Sequence, residues 1–176
     1  MFVVTGGPGS GKSSLIECLR RRGFRSMPEA GRVIIQDQIR IGGKSLPWAD
    51  RSMFAELMLG WELRSWHEAS ALDGPVLMDR GIPDVYGYLK LCGLPIPAHV
   101  EAAVMKYRYN GTVFIAPHWD EIFRQDAERK QDRKEAAATC QIMAETYARF
   151  GYQLVELPRE AIEKRVDFIM GHLKSE

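Results

Sequence analysis

The chain has 176 residues, 45% of them hydrophobic and 27% charged, the balance of one ordinary globular domain and not of a disordered chain. Lys and Arg number 24 against 23 for Asp and Glu, a formal charge of +1. No global field therefore calls for nucleic acid or an anionic membrane as a partner, and any phosphate chemistry must come from local clusters of charge.

Phe2-Val3-Val4-Thr5 is a short β-rich run that stops at Gly6-Gly7-Pro8-Gly9-Ser10-Gly11. A helical pattern follows, with Leu15, Ile16 and Leu19 on one face and Gly23 as its stop. Phe24 to Met27 reads as a brief strand, Glu29 to Ile41 as a helix broken by Gly42-Gly43, and Trp48 to Leu72 as a longer helix. Asp73-Gly74-Pro75 is a turn before the buried-strand candidate Val76-Leu77-Met78, which ends at Asp79. Asp84 to Leu91 and Pro97 to Tyr109 read as helices, and Thr112 to Ala116 is the clearest strand. A highly charged segment runs from His118 to Glu135, with helix continuing from Ala136 to Phe150. Tyr152 to Leu157 is the last strand and Arg159 to Leu173 the closing helix. Strands alternating with helices predict a parallel sheet covered on both faces, a three-layer α/β domain over residues 1–176.

Gly6-Gly7-Pro8-Gly9-Ser10-Gly11-Lys12-Ser13 matches G-x-x-x-x-G-K-[ST] in full, between a predicted strand and a predicted helix. The pattern predicts a P-loop that binds a nucleoside triphosphate through Gly7, Pro8, Gly9, Ser10, Gly11, Lys12, Ser13 and Ser14. Its backbone N–H groups and the helix N-terminus would cradle the phosphates. Lys12 would reach the β- and γ-phosphates, and the Ser13 hydroxyl would coordinate Mg²⁺. A guanine-reading N-K-x-D motif, an ABC-type signature and room for a AAA+ lid domain are all lacking. A compact enzyme acting on a small phosphoryl acceptor, or on water, is what remains.

Asp79-Arg80 closes the third strand, at the ligand-binding edge of an open α/β sheet. Asp79 is the candidate acid for Mg²⁺ and Arg80 the candidate phosphate ligand; the plainer reading is a helix-capping Asp with a surface Arg. Glu29 follows the second strand, with Arg32 one turn on. Either Glu29 is a general base toward an acceptor hydroxyl, with Arg32 steadying substrate charge, or it answers a helix dipole. Arg124, Arg129 and Arg133 lead the arginines of the charged segment. That segment is a solvated helix laced with ion pairs or a lid, at about residues 118–135, closing over the transferred group. Trp48, Trp61, Trp66, Tyr86 and Tyr88 read mostly as packing residues, although an aromatic acceptor would need such a wall.

Three scattered cysteines (Cys18, Cys92 and Cys140) form no CxxC pair, and the four histidines show no metal spacing. No apolar run approaches the ~18 residues of a membrane span. Residues Met1 to Thr5 lack a secretory pattern, so a cytoplasmic location is expected.

Gly6 to Ser13, Pro28-Glu29-Ala30-Gly31-Arg32, Asp79-Arg80-Gly81 and the charged segment leading into Tyr147 to Tyr152 together resemble the AAA_28-type P-loop ATPase family. That family is similar to the ribosylnicotinamide kinase domain of NadR proteins and, more distantly, to nucleoside and nucleoside-monophosphate kinases. The resemblance implies a central five-stranded parallel sheet, Glu29 as general base and Asp79-Arg80 as the acid–Arg pair. It also implies an adenine slot at Pro158-Arg159. The activity implied is Mg²⁺-dependent transfer of the γ-phosphoryl of ATP (GTP being possible) to a small, nucleoside-like metabolite. A triphosphate hydrolase and a nucleotide-binding regulatory module are the alternatives.

Overall fold

The computed structural model describes residues 1–119, 121 and 133–173. The chain alternates five strands with seven helices among these residues: β1 (Phe2–Gly6), α1 (Lys12–Arg21), β2 (Arg25–Met27), α2 (Ala30–Ile41), α3 (Arg51–Ser70), β3 (Val76–Asp79), α4 (Ile82–Leu91), α5 (Ala98–Lys106), β4 (Thr112–Ala116), α6 (Arg133–Arg149), β5 (Gln153–Glu156) and α7 (Ile162–Leu173). The strands form one sheet in the order β2-β3-β1-β4-β5, with every pairing parallel. All carboxyl ends therefore lie along one edge, as expected for an α/β fold in which helical crossovers return the chain.

The alternation of side chains along each strand sorts the core into two layers. Phe2, Val4, Leu77, Phe114 and Ala116 face α1 and α7, where Leu15, Leu19, Val166 and Ile169 cover them. Val3, Val76, Met78 and Val113 face the opposite way, onto α3, α4, α5 and α6. The central strands are buried on both faces, which is why they read as continuous apolar runs. A smaller cluster of Ala30, Ile34, Ile35, Leu46 and Phe54 seats α2 against α3.

The element order matches the sequence reading, and the differences lie at the ends. α4 begins at Ile82, two residues earlier than expected, because Gly81 is its N-cap and the Asp84 carboxylate accepts the Gly81 N–H at 3.0 Å. α5 stops at Lys106. Tyr109 lies beyond it, buried, with its hydroxyl accepting the Ile82 N–H at 3.1 Å. α6 begins at Arg133, inside the segment read as a lid, most of which lies outside the described residues. No described helix is long and apolar enough to cross a membrane.

Gly6 ends β1 with φ at +132°, and a Cβ there would collide with the carbonyl oxygen of Ala116 on β4. Both the backbone angle and the neighbouring strand demand glycine at the entrance to the loop. Gly6→Ala is expected to cost about 3 kcal/mol or more and to lower Tm by on the order of 10 °C in a calorimetric scan. An unchanged Tm would contradict this account of the β1–β4 approach.

Candidate functional site

The loop from Gly7 to Gly11 joins β1 to α1 at the carboxyl edge of the sheet, at its middle strand. In an open α/β sheet, that is where the strand order reverses and ligands bind. Ser10 knots the loop, its hydroxyl donating to the Gly7 carbonyl at 2.8 Å. Lys12 is buried, and its Nζ donates to Gly6 O at 3.2 Å, Gly7 O at 2.6 Å and Ser10 Oγ at 3.1 Å. Pro8 is buried, Gly9 and Gly11 are half-buried, and Ser13 and Ser14 are exposed in the first turn of α1. Gly7 touches a distant element, since a Cβ there would overlap the Ala136 carbonyl oxygen. The first turns of α6 are thus set directly against the loop.

Strand order brings the remaining candidates to the same edge. Val4 of β1 pairs with Asp79 of β3, and Met27 of β2 with Met78. Glu29 is two residues past β2, at the N-cap position of α2, yet its side chain makes no capping bond. Instead Glu29 Oε1 accepts Arg80 Nε at 3.0 Å. Glu29 therefore stands at the N-terminus of α2, as the helix-dipole reading has it, and also pairs with Arg80. Arg80 is no surface arginine, since only 15% of its side chain is exposed and Nη1 donates to Asp84 Oδ1 at 3.0 Å.

Arg80 is also the one non-glycine with a left-handed φ, +75°, among the described residues. That conformation costs on the order of 1 kcal/mol or more. Its N–H is fixed to Val4 O at 3.1 Å and its guanidinium to two carboxylates, so the surroundings over-determine the strain. Burial disfavours the charge on Arg80, but Glu29, Asp84 and Asp79 outweigh it and raise its pKa above the ordinary arginine value.

The residue the sequence reading passed over is Asp84, in the first turn of α4. Its Oδ1 accepts Thr5 Oγ1 at 2.5 Å and Arg80 Nη1. Oδ2 accepts the Gly81 N–H and Tyr147 OH at 2.6 Å. One buried carboxylate thereby ties β1, α4 and α6 to the arginine. The local sign was an acid four residues after Arg80 at a helix start. Glu62, on α3, was also missed. It is 3% exposed, and burial first, then the nearby Asp84 and Asp79, raise its pKa well above the ordinary 4.5 against the opposing pull of Arg80. Burial also raises the Tyr109 and Tyr147 hydroxyls, with Glu62 and Asp84 respectively as the next cause.

Of the other candidates, Arg32 is half-buried in the first turn of α2, and Pro158 is half-buried past β5, two strands from the loop. Arg124 and Arg129 lie outside the described residues; Arg133 is the first residue of α6, its side chain likewise outside the description. Trp48 is 57% exposed, and Tyr86 is buried against Phe150. Tyr88 packs edge-on to Phe54 at 5.5 Å.

Ser13 and Asp79 offer one hydroxyl and one carboxylate, hard oxygen donors placed beside the loop. That set suits Mg²⁺, which keeps several waters and takes one or two carboxylates with substrate phosphates. No group of three or more His, Cys, Asp or Glu among the described residues could form a metal cage on its own.

Two measurements test this electrostatic picture. Asp84→Asn places an amide where two donors already point, and should cost about 3–5 kcal/mol in urea unfolding; a loss below about 1 kcal/mol would demote the network to a surface-like pair. Glu62 holds its proton more tightly folded than unfolded. Its contribution is complete below 4.5 and is lost as pH rises through its raised native value. The stability of Glu62→Gln relative to wild type should therefore grow with pH above 4.5; a constant difference would show Glu62 to be ionised in the native state.

Deoxyadenosine kinase from M. mycoides, solved with the products dCMP and a flexible dCDP, superposes with a TM-score of 0.73 at 13% identity, covering 99% of both chains. Its dATP-bound structure gives 0.70 at 14% identity over 98% of both chains, and its dCTP-bound structure 0.53 at 13% over the whole of both. The five-stranded parallel sheet with flanking helices is thus the P-loop kinase fold. No curated protein matches the sequence. The family AAA_28, described as an AAA domain, matches residues 1–165, and the chain belongs to that family.

Proposed function

We propose that the chain is a P-loop phosphotransferase. It would take ATP, or GTP, as donor and move the γ-phosphoryl group to a hydroxyl or phosphate of a nucleoside-like small metabolite. The observation that carries this reading is the Glu29–Arg80–Asp84 bridge beside the loop holding Lys12. A carboxylate and a guanidinium are held together, strained and shielded, at the edge where an acceptor would meet a triphosphate. A fold shared with deoxyadenosine kinases supports a nucleoside-like acceptor.

In this reading the backbone N–H groups of Gly7 and of Gly9 to Ser14 bind the phosphate chain past Pro8, and Lys12 exchanges its loop carbonyls for phosphate oxygens. Ser13 and Asp79 would hold Mg²⁺, which when bound would neutralise phosphate charge. Glu29, fixed at one oxygen by Arg80, accepts the proton of the attacking hydroxyl at its carboxylate. Arg80 and Arg32 orient and neutralise the anionic parts of the reactants, Arg80 with its direction set by Asp84. Arg124, Arg129 and Arg133 are the candidates for charge from the segment before α6, and Pro158 for the wall of the adenine slot.

A coupled ADP-release assay against a panel of nucleosides and nucleotides tests the proposal. Lys12→Ala should abolish turnover. Glu29→Gln should lower kcat by about 10²–10⁴ with ATP affinity retained. Phosphate release that no acceptor accelerates would replace the transferase with a triphosphate hydrolase. Tight nucleotide binding without turnover would leave a regulatory module.

A further inference from the structure

The phosphate loop has a second buried cation, and it comes from the far end of the chain. Arg165, in the first turns of α7, is 3% exposed. Its Nη1 and Nη2 both donate to the Ser10 carbonyl at 3.2 Å, across 155 residues of sequence. No carboxylate pairs with it among the described residues, and its Nε is buried with no acceptor there. Burial lowers its pKa from the ordinary arginine value. Its neighbours on the helix, Val166 and Ile169, are fully buried in the apolar layer under β1. An apolar residue at 165 would suit that layer, so a guanidinium here is costly and its role must be sought at the loop.

Peptide geometry supplies that role. The Ser10–Gly11 peptide is trans, like every peptide bond described, so its C=O and N–H point in opposite directions. Holding the carbonyl toward α7 turns the Gly11 N–H away from α7, on the side of the peptide opposite the guanidinium. The remaining bonds of Ser10 lie within the loop, its hydroxyl donating to Gly7 O and accepting from Lys12 Nζ. Arg165 therefore grips the residue to which the lysine is also joined. The guanidinium also draws electron density onto the carbonyl oxygen and leaves the Gly11 N–H a stronger donor, and a phosphate on that side would be the counter-charge that Arg165 lacks among the described residues.

We propose that Arg165 is a positioning residue of the phosphate loop: it fixes the Ser10–Gly11 peptide for the triphosphate and places a second positive charge behind it. The inference rests on the reading of the loop as a triphosphate site, and it adds a dependence of phosphate affinity on α7.

Calorimetric titration of the full chain with MgATP, and separately with tripolyphosphate, tests it. The variants are Arg165→Met, Arg165→Lys and Val166→Ala, each with its Tm measured. Arg165→Met should weaken both ligands by on the order of 10–100-fold, two charge-assisted hydrogen bonds to the loop being lost. Arg165→Lys, which keeps the charge but not the fork, should recover part of the affinity. Val166→Ala, which only trims the apolar layer, should lower Tm and leave both affinities unchanged. The proposal is overturned if Arg165→Met binds both ligands as wild type does, or loses no more affinity than Val166→Ala at a comparable drop in Tm. Should Arg165→Met not fold, Arg165→Lys decides, a several-fold loss for both ligands supporting the role and unchanged affinity rejecting it. Wild-type protein that binds neither ligand would overturn the triphosphate reading itself. Normal wild-type binding with indifferent variants would overturn the role of Arg165 alone.

Discussion

The candidate site depends on one carboxylate. Asp84 receives donors from a strand residue, a helix-capping amide, an arginine and a tyrosine on another helix, leaving both oxygens doubly engaged. A buried carboxylate is costly unless its hydrogen bonds are satisfied, and four donors satisfy this one. Because those donors come from β1, α4 and α6, satisfying the charge also sets where these elements stand relative to one another. Arg80 is aimed by that arrangement, and Glu29 by Arg80.

The charges around Arg80 explain what lies behind it. Glu29, Asp79, Asp84 and Glu62 all act on this guanidinium or on one another. Glu62 lies deepest of the four, and burial first, then Asp84 and Asp79, raise its pKa against the pull of Arg80. The left-handed backbone of Arg80 belongs to the same arrangement, since it starts the turn from β3 that brings its side chain between Glu29 and Asp84.

What could be read from the sequence was what is local. The loop motif lies within eight consecutive residues, and the central strands β1, β3 and β4 announce themselves because burial on both faces makes them mostly apolar. Glu29 and Asp79-Arg80 could be placed together from the sequence because ends of parallel strands share an edge. Asp84 could not, because its partners are 79 residues before it, at Thr5, and 63 after it, at Tyr147. Glu62 looks like any acid on a long helix until the sheet is placed beneath it. Arg165 has the unremarkable pattern of a basic residue in a terminal helix, and only the packing of α7 against α1 and β1 brings it to Ser10. Helix boundaries moved where a distant contact intervened, as at Gly81 and Tyr109.

The position of Lys12 sets a condition on whatever enters the loop. Its ammonium already has two carbonyls and a hydroxyl as partners, so an incoming anion competes with the protein's own oxygens and does not meet a bare charge. What the amine contributes to affinity is then a difference between two sets of acceptors, smaller than the gross attraction. A ligand with a single weakly basic oxygen gains little from such an exchange. A polyanion, able to offer several oxygens to the lysine and to the loop amides at once, gains from every one. On the proposed reading, such a loop would favour chains of phosphates over small anions by counting acceptors, before shape or base identity has any part.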